Sequence, residues 1–258
     1  MNIALIGAGR VARYLGHRLK EDGHAICIVY SRTLQHAKNL ATALQTEFTD
    51  DLSALPSETD VFLVSISDDA TPDIASKLRL NKQLLVHTAG SLPIEVLAQS
   101  GTPNFGILYP LFSFSGNEVK ENRTIPLLIE ASNTETLQGI QRLAMSITDR
   151  VLESSHNQRL LLHLAAVFAN NFSNHLFSIS DDLLKKNELS LDLLLPMLAN
   201  TVESLKTHTP KDMQTGPAQR GDSSTMQKHL EMLSNRPDLQ NVYKALSESI
   251  LRTKNQHE

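Results

Sequence analysis

Short unbroken apolar runs alternate with amphipathic stretches over the first half of the chain. Ile3 to Ile6 and Ala25 to Tyr30 read as strands, and the segment to Lys20 between them is helical. Another helical stretch runs from after Thr33 to about Leu44, followed by a short segment at Glu47-Phe48 and an acidic turn at Asp50-Asp51. Asp60 to Ser65 and Gln83 to His87 are continuous apolar runs, partly β-branched, which fits strands buried on both faces of a parallel sheet. Asn104 to Tyr109 and Ile125 to Glu130 add two more strands. Thr134 to Ile147 reads as the helix before a last short strand near Val151. Pro93 stands where the first turn of a helix tolerates it. Strand and helix in alternation predict an α/β fold with a doubly wound, mainly parallel sheet.

From Ser154 the strand pattern does not recur. Asn157 to Lys185 repeats apolar residues at helical spacing on more than one face, among them Leu160, Leu164, Phe168, Phe172 and Leu183. A helix apolar that far round is either buried at the centre of a domain or shared between subunits. Leu189 to Leu205, interrupted around Pro196, Ser223 to Leu233 and Pro237 to Lys254 predict further helices. The chain therefore divides into an α/β domain over residues 1–153 and an all-helical domain over residues 154–258. No Gly/Ser linker separates them.

Composition narrows the function. In 258 residues, 41% hydrophobic and 20% charged, a net charge of −4 leaves no basic footprint for nucleic acid. The longest apolar run, Arg159 to Ala169, is broken by His163 and too short to span a bilayer, and strand one begins at once, leaving no room for a signal peptide. A cytoplasmic protein is expected, in which the sequons at Asn122 and Asn171 carry no glycan. The single cysteine, Cys27, lies within the second strand and offers neither a disulfide nor a cysteine metal site. No metal-binding spacing appears elsewhere.

Between the first strand and the first helix stands Gly7-Ala8-Gly9-Arg10-Val11-Ala12. Gly7 permits a tight turn of unusual φ, Gly9 lets the backbone approach a diphosphate, and Ala12 takes the third-glycine position, where helix packs on strand. The helix N-terminus points its positive end at the same spot, so the turn reads as a dinucleotide site. At the end of the second strand a NAD site normally places Asp or Glu, whereas this chain has Ser31-Arg32-Thr33. Two hydroxyls and a guanidinium favour the 2′-phosphate of NADP. The same residues also suit a polar loop with Thr33 as N-cap of the next helix.

Further candidates lie at the carboxyl edge of the predicted strands. Ser65 and Ser67 are expected beside the cofactor, with Asp68 or Asp69 capping the following helix, and His87 and Ser91 end the next strand. Tyr109 to Ser115 is aromatic-rich in a chain with only 5% aromatics, and reads either as an apolar wall over nicotinamide or substrate or as packing against the helical domain. On a 3.6-residue period His163, Asn170, Asn171, Asn174 and His175 form a polar stripe on the long helix. Such groups need partners, which substrate, cofactor or a neighbouring helix can supply. His163 reads as a catalytic group or as a core histidine, and Asn171 as a substrate or cofactor contact. In the loop Thr215 to Asp222, Asp222 is a natural N-cap and Arg220 can present its fork to an anionic substrate group or an interdomain carboxylate.

These motifs resemble those of the superfamily in which an N-terminal Rossmann domain precedes a helical domain: 6-phosphogluconate and 3-hydroxyisobutyrate dehydrogenases, pyrroline-5-carboxylate reductase and deazaflavin-dependent NADP oxidoreductases. The chain is most similar to an uncharacterised branch pairing a Rossmann-like domain with a C-terminal helical domain of unknown function. Carrying the resemblance are the glycine turn, His87-Thr88-Ala89-Gly90-Ser91, Tyr109-Pro110-Leu111, His163 through Asn171, and the Thr215 to Asp222 loop. The resemblance implies reversible hydride transfer to a small carbonyl or imine substrate, a site in the interdomain cleft and a homodimer built on the helical domain, and Ser91, Tyr109 and Arg220 are the candidate substrate residues. One departure matters. The hydroxyacid dehydrogenases carry a catalytic lysine three residues before an Asn-Asn pair, and here that residue is Val167. His163, one turn earlier, is the nearby group able to exchange a proton, which favours imine reduction. A non-catalytic NADP sensor is the competing class, and exchange with a deazaflavin a third possibility.

Overall fold

The computed structural model describes residues 1–114 and 124–255. Ser115, at the end of the aromatic loop, and Asn122-Arg123 of the first sequon lie outside them. Eight strands, β1 (Asn2–Ile6), β2 (Ala25–Tyr30), β3 (Glu47–Thr49), β4 (Val61–Val64), β5 (Leu84–His87), β6 (Phe105–Pro110), β7 (Leu127–Ala131) and β8 (Val151–Glu153), form one sheet in the order β3-β2-β1-β4-β5-β6-β7-β8. All neighbours pair in parallel except β6 with β7. This is the doubly wound, mainly parallel sheet expected from the alternation of runs. Helices α1 (Arg10–Glu21), α2 (Leu34–Leu44), α3 (Thr71–Lys77) and α4 (Thr134–Ile147) connect strands, while Ile94–Ser100, after Pro93, is a 3-10 helix.

Period-two alternation divides the strands between two cores. Ile3 and Leu5 of β1 join Leu63, Val86 and Leu108 in one cluster with α1, α2 and α4. Ala4 and Ile6 join Phe62, Val64 and Leu85 in the other with α3. Because the chain steps outward from β1 to β2 and β3 and returns to β4 on the other side, the strand order reverses between β1 and β4. At such a reversal the connecting loops part and leave a crevice at the carboxyl ends of the strands.

Helix α5 (His156–Ala166) begins with a capping box between Ser155 and Gln158, continues as a π-helical turn over Val167–Phe172 and runs on into α6 (Ser173–Lys185). The chain folds into two compact units, Met1–Phe177 and Ser178–Glu258. The division falls within this long helix, past the sequence-based boundary at residue 153. Its physical reason is Arg159, fully buried in the first turn of α5. Its guanidinium pairs with Glu130 of β7 and donates to the Leu92 carbonyl at 2.7 Å, holding α5 to the sheet.

The second unit contains α7 (Leu195–Ser204), the short α8 (Pro217–Arg220), α9 (Ser223–Met232) and α10 (Pro237–Asn255). Pro196 sits in the first turn of α7 rather than breaking it, after a separate 3-10 turn at Leu191–Leu193. Asp222 caps α9 as expected, accepting from the Thr225 amide at 3.0 Å, and these hydrogen bonds hold its carboxyl down at about 2. No helix of the described residues is long and apolar enough to cross a membrane.

Candidate nucleotide-binding and active site

The crevice at the strand reversal is a cleft of about 1120 Å³ within the first unit. Its floor is the glycine turn. The Gly7 amide donates to the Tyr30 carbonyl at 2.8 Å and the Ser65 amide to the Ile6 carbonyl at 2.7 Å, so the ends of β2, β1 and β4 are tied together. Gly7 has φ of +117°, and a Cβ there would collide with the Ser65 carbonyl. Gly9 is different: a Cβ built on it meets nothing within 4 Å, so the glycine leaves open the space that a close ligand needs. Gly9 is also the N-cap of α1, with no side-chain cap and no acidic residue in the first turn. The amides of that turn are left for an anion, and the residues fit a dinucleotide diphosphate.

At the β2 end, Ser31, Arg32 and Thr33 line the cleft together with His36. The Ser31 hydroxyl accepts from the Thr33 amide at 3.3 Å, which leaves its proton for another acceptor. Thr33 is the N-cap of α2 by backbone position but makes no side-chain cap, and again no acid sits in the first turn. The corner thus offers hydroxyls, a guanidinium and an uncapped helix end. His36 was not singled out in the sequence. It enters because α2 turns its third residue back toward the corner, a placement the 3.6-residue period makes visible once the helix start is known.

The other end of the cleft is framed by Thr88, Ala89, Gly90, Phe112, Phe114 and His163. Arg10 donates to the Phe114 carbonyl at 3.1 Å and the Phe114 ring lies 4.8 Å from that of Tyr14, so the aromatic loop is pinned to α1. Of the two readings of this loop, the wall of the cleft is where Phe112, Ser113 and Phe114 stand. His163 arrives one turn after Arg159, on the same side of α5, and its Nδ1 lies 3.1 Å from the Tyr109 hydroxyl. The approach requires Gly90: a Cβ there would come within 2.7 Å of Tyr109 Cζ and 2.9 Å of His163 Nδ1. Burial, and then the Asp68 carboxylate, push the Tyr109 phenol up from its ordinary value.

Gly7, Ala8, Gly9, Arg10, Val11, Ser31, Arg32, Thr33, Ser65, Ser67 and His163 all line this cleft. Other expectations are corrected. His87, expected at the cofactor, is fully buried, because period two turns it to the same face of β5 as Leu85. It supports the loop above from below, its Nδ1 accepting from the Ala89 amide at 3.2 Å. Neither Asp68 nor Asp69 caps a helix: both lie in a 3-10 turn over Asp68–Ala70, and Asp68 accepts instead from the Ser91 hydroxyl. The polar stripe does not converge, since the π-helical turn shifts the phase of the helix beyond His163. Asn170, Asn171, Asn174 and His175 are exposed. Arg220 is an exposed residue of the second unit.

A family model described as NADP oxidoreductase, coenzyme F420-dependent, matches residues 2–90. A second, described as a domain of unknown function (DUF2520), matches residues 125–250. A Bacteroides fragilis protein provisionally named an NADP oxidoreductase is 38% identical, over 97% of this chain and 98% of its own, with a TM-score of 0.92. The chain belongs to this NAD(P)-dependent oxidoreductase family. The oxidoreductase model covers the glycine turn, the β2 corner and Gly90, whereas Glu130, Arg159 and His163 fall in the DUF2520 match. A Thermotoga maritima protein is 24% identical (95% of this chain, 98% of that one, TM-score 0.75). An imine reductase from Myxococcus stipitatus, solved with NADP+, is 15% identical (99% and 93%, TM-score 0.67). Both share the fold. No curated protein matches the chain.

The buried histidine makes stability depend on pH. Burial first, and then the Arg159 guanidinium, hold the His87 imidazole down at about 4, so the folded chain resists a proton that the unfolded chain accepts near 6.5. Stability is therefore unaffected by this group above about pH 6.5 and falls as pH drops toward 4, by roughly 3 kcal/mol in total. Urea unfolding between pH 7.5 and 4.5 is expected to show this loss in the wild type and a flatter dependence in His87→Leu.

Proposed function

We propose that the chain is an NADP-dependent reductase of a small carbonyl or imine compound. The observation that carries this reading is a single cleft with two chemically different ends. One end has hydroxyls, Arg32 and two uncapped helix termini, and the other has the Tyr109–His163 pair. The glycine turn takes the diphosphate, while Ser31, Arg32 and Thr33 take the 2′-phosphate, where an acid would repel it. When bound, the dinucleotide supplies a hydride to an electrophilic carbon. Phe112 and Phe114 shield that end from water.

His163 acts as the proton donor. With Nδ1 engaged by Tyr109, Nε2 is the ring atom left to pass a proton to the substrate's oxygen or nitrogen. Val167 stands where the hydroxyacid dehydrogenases have lysine, so carbonyl polarisation by an ammonium group is not built in here. The chain also works as a homodimer in this reading: Leu161, Leu164, Phe168 and Phe172 on α5 and its π-helical continuation are 66, 52, 63 and 50% exposed, a larger apolar face than a soluble monomer ordinarily presents.

Calorimetric titration is expected to show tighter binding of NADPH than of NADH. Arg32→Asp removes most of that difference, and equal losses for both nucleotides would sink the 2′-phosphate assignment. His163→Ala should lower kcat by about 100-fold or more with NADPH affinity unchanged, and retained turnover would end its role as the acid. Light scattering should give twice the 28.5 kDa chain mass, and Phe168→Glu should move the protein toward the monomer; a wild type that is monomeric at micromolar concentration refutes the dimer.

A further inference from the structure

The charges around the cleft are unevenly placed. Among the described residues its Lys and Arg side chains are Arg10, which donates to the Phe114 carbonyl, Arg32 at the β2 corner, and Lys77, which pairs with Asp73 on α3. Next to Gly90, Ser91 holds a full negative charge, that of Asp68, at the cleft. Asp68 accepts the Ser91 hydroxyl on Oδ2, and its Oδ1 takes no hydrogen bond from the described residues. Its field reaches the Tyr109 phenol, which is itself bonded to His163, so carboxylate, hydroxyl, phenol and imidazole share one neighbourhood. Arg159 opposes that effect on the phenol only in part, and, fully buried and paired with Glu130, it presents no charge at the cleft surface.

Resting on the reductase reading above, we infer that this end of the cleft selects a cationic nitrogen: the substrate is a protonated imine carrying no carboxylate near the C=N group, and Asp68 holds its N–H. An iminium nitrogen donates to the open Oδ1, while a substrate carboxylate in the same place meets a like charge. An imine arriving unprotonated takes its proton from His163 Nε2. Hydride from the reduced nicotinamide dinucleotide then forms the new C–H bond, the C=N π pair becomes the nitrogen lone pair, and the products are the neutral amine and the oxidised dinucleotide. The amine picks up a proton from water, and its ammonium form is the ligand that Asp68 also fits.

The test uses the full chain saturated with NADP+ and a panel of small primary and cyclic amines, each beside the amino acid of the same skeleton, read by thermal shift and calorimetry. At least one amine is expected to raise the melting temperature where its amino acid does not. Asp68→Asn should weaken that amine by about tenfold or more while NADP+ alone still stabilises the variant as it does the wild type. Equal shifts from amines and amino acids, including none from either, overturn the inference, as does an Asp68→Asn protein that binds the amine unchanged. Should the variant fail to fold, the wild-type comparison decides alone. If NADP+ itself binds but the amino acids are preferred, the inference falls and the reductase reading stands. Absence of NADP+ or NADPH binding removes both.

Discussion

A buried guanidinium holds the two halves of the site together. Arg159 is fully excluded from water, paired with Glu130 on β7 and bonded to the Leu92 carbonyl just beyond β5, with His156 Nδ1 3.2 Å away. Desolvating such a charge costs several kcal/mol, and the cost is tolerable only where a partner and further hydrogen bonds meet it. What the pair secures is position: α5 is clamped to the sheet edge, and His163, one turn on, is thereby delivered to Tyr109. The neighbourhood is not fully satisfied. Arg159 Nε has no hydrogen-bond partner, a penalty of about 1–3 kcal/mol. The same guanidinium holds the Leu92 carbonyl just beyond Gly90, so the support of this end of the cleft carries some cost in stability.

The opposite end presents open backbone groups beside the Arg32 side chain. Two helices, α1 and α2, begin at the cleft with N-caps that use no side chain and with no acid in their first turns. In a helix whose only task is to be stable, a capping Ser or Asp would close those amides. Left open, they present two positive helix ends to the cleft. The positive φ of Gly7 and the empty space beside Gly9 belong to the same arrangement: a side chain at Gly7 would collide with the Ser65 carbonyl, and one at Gly9 would fill the open space next to the helix end.

The long helix after β8 departs from this pattern. Its apolar residues are not gathered into a core, and its π-helical turn rotates Asn170 and Asn171 out of phase with His163. π-helical turns recur at functional sites because the displaced ladder costs stability. Here the turn separates a segment committed to the cleft from one whose Leu and Phe side chains stand in water in the single chain.

Much of this architecture was legible in the residues alone. Local runs of apolar residues determine the strands and helices of the α/β half, and Gly7, Gly9 and Ser31-Arg32-Thr33 could be placed at one strand edge because turn, strand end and helix start are contiguous in sequence. Contacts between distant segments were not legible. Nothing near His87 says that it turns inward beneath Gly90, nothing near Asp68 says that it meets Ser91 rather than capping a helix, and Arg159 looks like an ordinary helical arginine until Glu130 closes on it. The polar stripe failed for a related reason, as a fixed 3.6-residue period cannot register an extra residue in one turn. Sequence determines what each segment is and which ligand groups it can address. The tertiary structure decides which side chains meet, because burial and pairing depend on neighbours that lie tens of residues away along the chain.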